Sequence, residues 1–207
     1  MAVHDHSSGR AGVRFPSRSR AATSATSVAA RDTTRSTAFA MVFAGVRILT
    51  GFVFLWAFLD KTFGWGYATA SGKGWVDGGS PTKGFLSGVA AGPLQSTFHG
   101  MAGDAWVNWL FMLGLLAIGV AVMSGVALRF AAVAGTVMMA LMWAAEWPPA
   151  QHLSTGAPSM SSNPLVDYHV LYAVILIALA VGHAGRVWGL GRGWESMAIV
   201  RDNRWLS

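Results

Sequence analysis

Residues 47–61 read RILTGFVFLWAFLDK, and the architecture turns on whether that stretch crosses a membrane. Between Arg47 and Asp60 only Thr50 carries a polar side chain, and the apolar run reaches back to about residue 38. A run of about 18 or more mainly apolar residues is what a helix needs to cross a hydrocarbon core roughly 30 Å thick. Three more such runs occur, at about 105–124, 127–147 and 165–188. In lipid every backbone polar group must be satisfied inside its own segment, so all four runs are read as helices. A chain of 207 residues leaves room for one bundle. Composition agrees: 53% of residues are hydrophobic and 12% charged, where a soluble domain carries about a quarter charged. The expected fold class is all-α, an integral membrane four-helix bundle with a glycine-rich outer loop between helices 1 and 2.

Basic residues set the orientation. Arg10, Arg14, Arg18, Arg20, Arg31 and Arg35 precede the first run, Arg129 lies between the second and third, and Arg186, Arg192, Arg201 and Arg204 come at or after the end of the fourth. All fall on one side, which the positive-inside rule makes cytoplasmic, together with both termini of this multi-pass chain. The net charge of +6 is thus largely topology. These arginines lack interleaved aromatics or a recognisable fold motif, so no nucleic-acid partner is expected. Residues 1–37, rich in Ser, Thr, Ala and Arg, cannot bury enough surface to offset their ordering entropy and are expected to form a disordered basic cytoplasmic tail. Residues 38–195 then form the membrane domain, and 196–207 a cytoplasmic C-terminal tail. A signal peptide would have an apolar core of about 7–15 residues; the longer first run favours an uncleaved helix.

The chain has no cysteine, which removes disulfides, thiol relays, persulfide carriers and Cys-based zinc or iron–sulfur sites. No metal is expected. The loop from Lys61 to Ala105 holds eleven glycines, densest in GWVDGGSPTKGFLSG at 74–88. Helix connections usually need only a few residues, so this one reads as a functional cap whose Phe85, Leu86, Val89 and Leu94 dip back onto the bundle. Ser80-Pro81 reads as the start of a short helix within it, and Asn163-Pro164 as the start of the last membrane helix. The small residues within the runs, such as Gly114, Gly119 and Gly135, serve close helix packing.

Ionisable residues are costly near a bilayer and are candidates for function. Arg47 sits deepest. It either snorkels to the cytoplasmic surface or lies inside the bundle, held by carbonyls or by an anionic group, with Gly51 one turn on leaving room for a neighbour. At the outer end Asp60 and Lys61 come from helix 1, Glu146 from helix 3, and Asp167 and His169 from helix 4. Helix 4 starts there, so Asp167 fits its N-terminus; helices 1 and 3 end there, where the dipole favours Lys61 but opposes Asp60 and Glu146. The two acids therefore need partners. The expectation is that Glu146 pairs with Lys61 or His169 in a proton-handling site under the cap, the competing reading being an ion-pair brace between helix ends. Trp56, Trp65, Trp75, Trp106, Trp109, Trp143 and Trp147 gather at the same end, as an interfacial belt would; rings beside proton donors also suit a planar, lipid-soluble quinone. His169 and His183 are 14 residues apart on one expected helix, a spacing known from haem-binding helices, but no second helix offers a matching pair and haem is disfavoured.

RILTGFVFLWAFLDK, WVDGGSPTKGFLSG, NWLFMLGLLAIG, AEWPP and NPLVDYHVLYA together resemble the DoxX/DoxD-like membrane proteins of bacteria, over about residues 40–195. The resemblance implies a four-helix protein of the bacterial cytoplasmic membrane. Its DoxD branch implies an oxidoreductase subunit that couples oxidation of thiosulfate to tetrathionate with quinone reduction, alongside a second redox subunit. On this reading Asp60, Glu146 and His169 are the catalytic candidates. Arg47, Lys61, Lys83 and Asp167 are the substrate-binding candidates, and Trp56 and Trp143 would flank the quinone. Membrane lipid and further copies of the chain are the other expected partners. The alternative is a non-catalytic scaffold or assembly partner of an envelope redox enzyme.

Overall fold

The structure, a computed structural model, describes the backbone of residues 18–206 and the side chains of residues 36–203, 205 and 206. Of the expected disordered tail, residues 1–17 lie outside the described residues, while residues 18–37 are helical backbone, the start of the first helix, and not disordered. By its contacts the described chain divides into two units at Phe39/Ala40, and the second, from Ala40 on, holds the helices described below. Among the described residues all regular structure is helical apart from one isolated bridge between His152 and Pro158. Eight α-helices occur among the described residues: α1 (Arg18–Phe63), α2 (Lys83–Ser87), α3 (Gln95–Met101), α4 (Ala105–Ser124), α5 (Leu128–Glu146), α6 (Tyr168–Val181), α7 (Gly191–Ser196) and α8 (Ala198–Asp202).

Three of them are long and apolar enough to cross a membrane: Ser36–Phe63 of α1, α4 and α5, with 28, 20 and 19 residues. The fourth expected span is shorter than the sequence suggested. Its helix, α6, has 14 residues, or about 21 Å at 1.5 Å per residue, because Gly182 ends it and His183 turns into left-handed backbone at φ 48°. The chain beyond it folds back through α7 and α8, where Val200 is fully buried and Trp205 meets Phe130 edge to face at 4.4 Å.

Glycines decide how closely the long helices approach. A Cβ on Gly51 of α1 would lie 2.5 Å from the Met123 backbone N of α4, and one on Gly119 of α4 would lie 2.7 Å from the Leu55 backbone N of α1. The second contact lies four residues further along α1 and four residues back along α4, so the two helices run antiparallel with backbones in contact, the close approach that small residues permit. Gly135 of α5 admits Leu176 of α6, and Gly182 admits Phe43 of α1. All four helices feed one core: Phe54, Met112, Leu115, Ile118, Val122, Ala131, Met139, Leu176 and Leu179. The same helices also turn many apolar side chains outward (Leu49, Leu110, Val133, Leu141, Leu171 and Val174 are exposed), so the packed unit presents an apolar belt.

At the end where α1 stops and α4 starts, here the loop end, the long glycine-rich loop is packed. Leu86, Val89 and Phe98 bury against Val107 of α4 and Ala145 of α5. Asn108 fastens it: its Oδ1 accepts from Ser80 Oγ (3.0 Å), Thr82 N (3.1 Å) and Thr82 Oγ1 (2.7 Å). Ser80 is thus a clamp and not a helix cap, and α2 begins later, at Lys83. Asn163 likewise closes a turn, accepting from Leu165 N and Val166 N, and α6 starts after it at Tyr168.

Candidate functional site

The first turn of α6 builds the centre of the site. Asp167 is its N-cap: Oδ1 accepts from the amides of His169 (3.0 Å) and Val170 (3.2 Å), two of the donors that a helix start leaves open. Its other oxygen, Oδ2, lies 2.8 Å from His169 Nδ1. Partial burial alone would raise the Asp167 pKa, but the His169 hydrogen bond and the two amides outweigh it and hold the carboxyl below its usual value. An ionised Asp167 accepts, so Nδ1 is the donor in this arrangement. His169 is 1% exposed, and its Nε2 is buried with no hydrogen-bond partner among the described residues. A buried polar nitrogen without a partner is costly in a folded chain.

Glu146, the last residue of α5, is exposed and accepts a hydrogen bond from Tyr168 Oη at 2.7 Å. The Tyr168 ring lies against that of His169, centroids 4.0 Å apart. One ligand atom each from Glu146, Asp167 and His169 lies within 4.8 Å of the others. Trp143 ties the same corner together: its Nε1 donates to Leu165 O at 3.1 Å, and its ring packs edge to face on Trp147 at 5.4 Å. The chain therefore brings Glu146, Asp167, His169 and Trp143 together from two helices.

Asp60 and Lys61 make different contacts from those expected. Asp60 is 1% exposed, and its carboxylate accepts from the backbone amides of Thr69 (2.8 Å) and Tyr67 (3.4 Å). Those loop amides are the compensation that an acid at a helix C-terminus needs. Among the described residues Lys61 forms no ion pair within 4 Å, and neither pairing expected for Glu146, with Lys61 or with His169, is made; its carboxylate takes the Tyr168 hydroxyl instead. Trp56 joins Phe52, Trp65 and Tyr67 in a ring cluster, with centroid separations of 5.8, 5.4 and 5.2 Å from its own ring. That cluster is separate from the Trp143–Trp147 pair. Lys83 is exposed on α2.

Arg47 is at the opposite end. Fully buried, it donates through Nη1 to Val122 O (2.8 Å) and Met123 O, and through Nη2 to Trp188 O (2.6 Å). Of the readings open in the sequence, the interior arginine held by carbonyls is the one formed. The C-terminal carbonyls of α4, where the helix dipole is negative, take the cation, and Gly125 and Gly189 leave it space: a Cβ on either would lie 3.0 Å from a guanidinium nitrogen. Its two terminal nitrogens are committed to the chain itself, about 20 Å along α1 from Lys61. Nearby, Arg186 Nε lies 3.0 Å from both Glu195 oxygens, and His183 lies 3.8 Å from one of them, beyond the end of the helix it was expected to share with His169.

Sequence reasoning found the members of the Glu146–Asp167–His169 group but missed Tyr168, whose hydroxyl reaches Glu146 across two elements. Compared with protein-family models, curated proteins and solved structures, the chain gives no match.

Proposed function

We propose that this chain is a redox subunit of the bacterial cytoplasmic membrane, a four-helix bundle with both termini cytoplasmic that reduces quinone at its outer-leaflet end. The observation that carries the reading is the His169 ring, held at Nδ1 by Asp167 and buried at Nε2 without a partner. In the doubly protonated ring Nε2 is a donor while Nδ1 stays on Asp167; a lipid-soluble quinone then supplies the missing partner through a carbonyl oxygen, which takes the Nε2 proton as it is reduced. Glu146 is exposed and stands close enough to return that proton from solvent. The resemblance to DoxX/DoxD-like proteins supplies the other half-reaction. Two thiosulfate ions lose one electron each and join through a new S–S bond as tetrathionate, while quinone takes two electrons and two protons. Lys61 and Lys83, cations at the loop end, are the groups that draw the sulfur anion. A second redox subunit or a second copy of the chain would dock over the cap.

Membranes containing the protein are expected to reduce a quinone analogue at the expense of thiosulfate. His169→Gln should lower that rate about 100-fold, the lower range for loss of a general acid–base group, with unchanged amounts of folded protein. Equal rates for the two would remove the role. The scaffold reading draws support from Asp60 and Arg47, both committed to the chain's own backbone. It predicts no rate in either protein and a stoichiometric redox partner on purification in mild detergent.

A further inference from the structure

We propose that Glu146, Asp167 and the Nδ1 side of His169 form a binding site for one divalent first-row metal cation. The inference goes beyond quinone reduction and does not depend on it. Three observations carry it. One atom from each group lies within 4.8 Å of the other two. The pair nearest each other, Nδ1 and Asp167 Oδ2, is 2.8 Å apart, a little under the roughly 3.0 Å between adjacent octahedral ligands each bonded at about 2.1 Å. Second, two carboxylates converge here, and among the described residues neither forms an ion pair with a lysine or arginine; a dication is the charge that balances them. Third, His169 is 1% exposed with Nε2 unpartnered, so among the described residues the ring proton is held on Nδ1 by Asp167 alone, itself one of the proposed ligands. Moving it to Nε2 frees the Nδ1 lone pair for a metal and turns Nε2 into a donor for whatever ligand meets it.

The surroundings suit this use. Asp167 is aimed by the His169 and Val170 amides, and Glu146 by the Tyr168 hydroxyl at 2.7 Å, the outer hydrogen bonds by which metal ligands are oriented. Glu146 is exposed and is the arm that closes on the ion. One imidazole and two carboxylates suit zinc, manganese or ferrous iron and leave positions for water or a substrate oxygen.

The test uses the purified full-length protein in detergent, with Co²⁺ as the probe, in a His4→Ala, His6→Ala background that removes the other closely spaced histidines of the sequence. One equivalent of Co²⁺ should produce visible absorption bands and raise the melting temperature. Glu146→Gln, at an exposed position that tolerates change, should weaken binding at least 10-fold, and His169→Ala should abolish the bands while helical circular dichroism is kept. No bands in the parent protein, or equal binding by the parent and Glu146→Gln, overturns the site. Because no quinone or thiosulfate is present, a cation bound by a chain without redox activity would uphold this inference and defeat the redox reading.

Discussion

Replacing Arg47 with lysine keeps the positive charge and removes the fork. In the structure the guanidinium spans two targets, the α4 carbonyls of Val122 and Met123 through Nη1 and the Trp188 carbonyl through Nη2. A lysine ammonium is a single point on a flexible stem and can serve one of them. The Trp188 bond is the one a shorter side chain gives up, since Met123 and Val122 lie at the helix end that attracts a cation. A hydrogen bond to a charged group contributes about 1.5–3 kcal/mol, and 1 kcal/mol shifts the melting temperature of a chain this size by about 2–4 °C. Arg47→Lys should therefore lower it by about 3–12 °C in detergent. Trp188 belongs to the segment that folds back after α6, so the same variant should expose residues 183–206 to limited proteolysis before the long helices are cut. An unchanged melting temperature with an equally resistant C-terminal segment would refute the reasoning, because it would mean that the Trp188 contact holds nothing.

Gly51→Ala should destabilise by at least about 2 kcal/mol, through overpacking of a close backbone contact, whereas Gly45→Ala on the same helix meets nothing within 4 Å and should be neutral or stabilising; thermal melts of the pair decide it. Asp60→Ala should free the Tyr67–Thr69 turn by removing the acceptor of two amides, at a cost of about 1–3 kcal/mol, seen as a fluorescence change at Trp65 and faster proteolysis after Phe63. Asp167→Asn keeps a good N-cap and should change stability by under about 1 kcal/mol while lowering quinone reduction; a variant that is fully active would reduce Asp167 to a cap.

Much of the fold is legible in the sequence, for reasons that differ by residue. The apolar runs of α1, α4 and α5 are long enough to report themselves, and Gly51 signals the close approach that Met123 makes to it. The end of α6 is not legible: 165–188 is apolar enough to continue, and only Gly182 followed by a left-handed His183 stops it. Local chemistry reveals that Asp60 needs compensation and Asp167 does not, because dipole direction follows from the order of the helices. It cannot reveal that two loop amides supply that compensation in place of Lys61. Turn chemistry misleads at Ser80 and Asn163, whose side chains satisfy other groups. The convergence of Glu146 with His169 is readable from matching depth; the Tyr168 link between them depends on side-chain direction, which depth alone does not give.

The redox reading needs the His169 corner to be a ligand site, and photolabelling with an azido-quinone probes that corner without relying on turnover. Label is expected on residues 143–147 and 165–172, displaced by excess unlabelled quinone and strongly reduced in His169→Gln. Label confined to the outer lipid-facing surface, or undiminished in His169→Gln, would leave the corner without a ligand and the redox reading without its site.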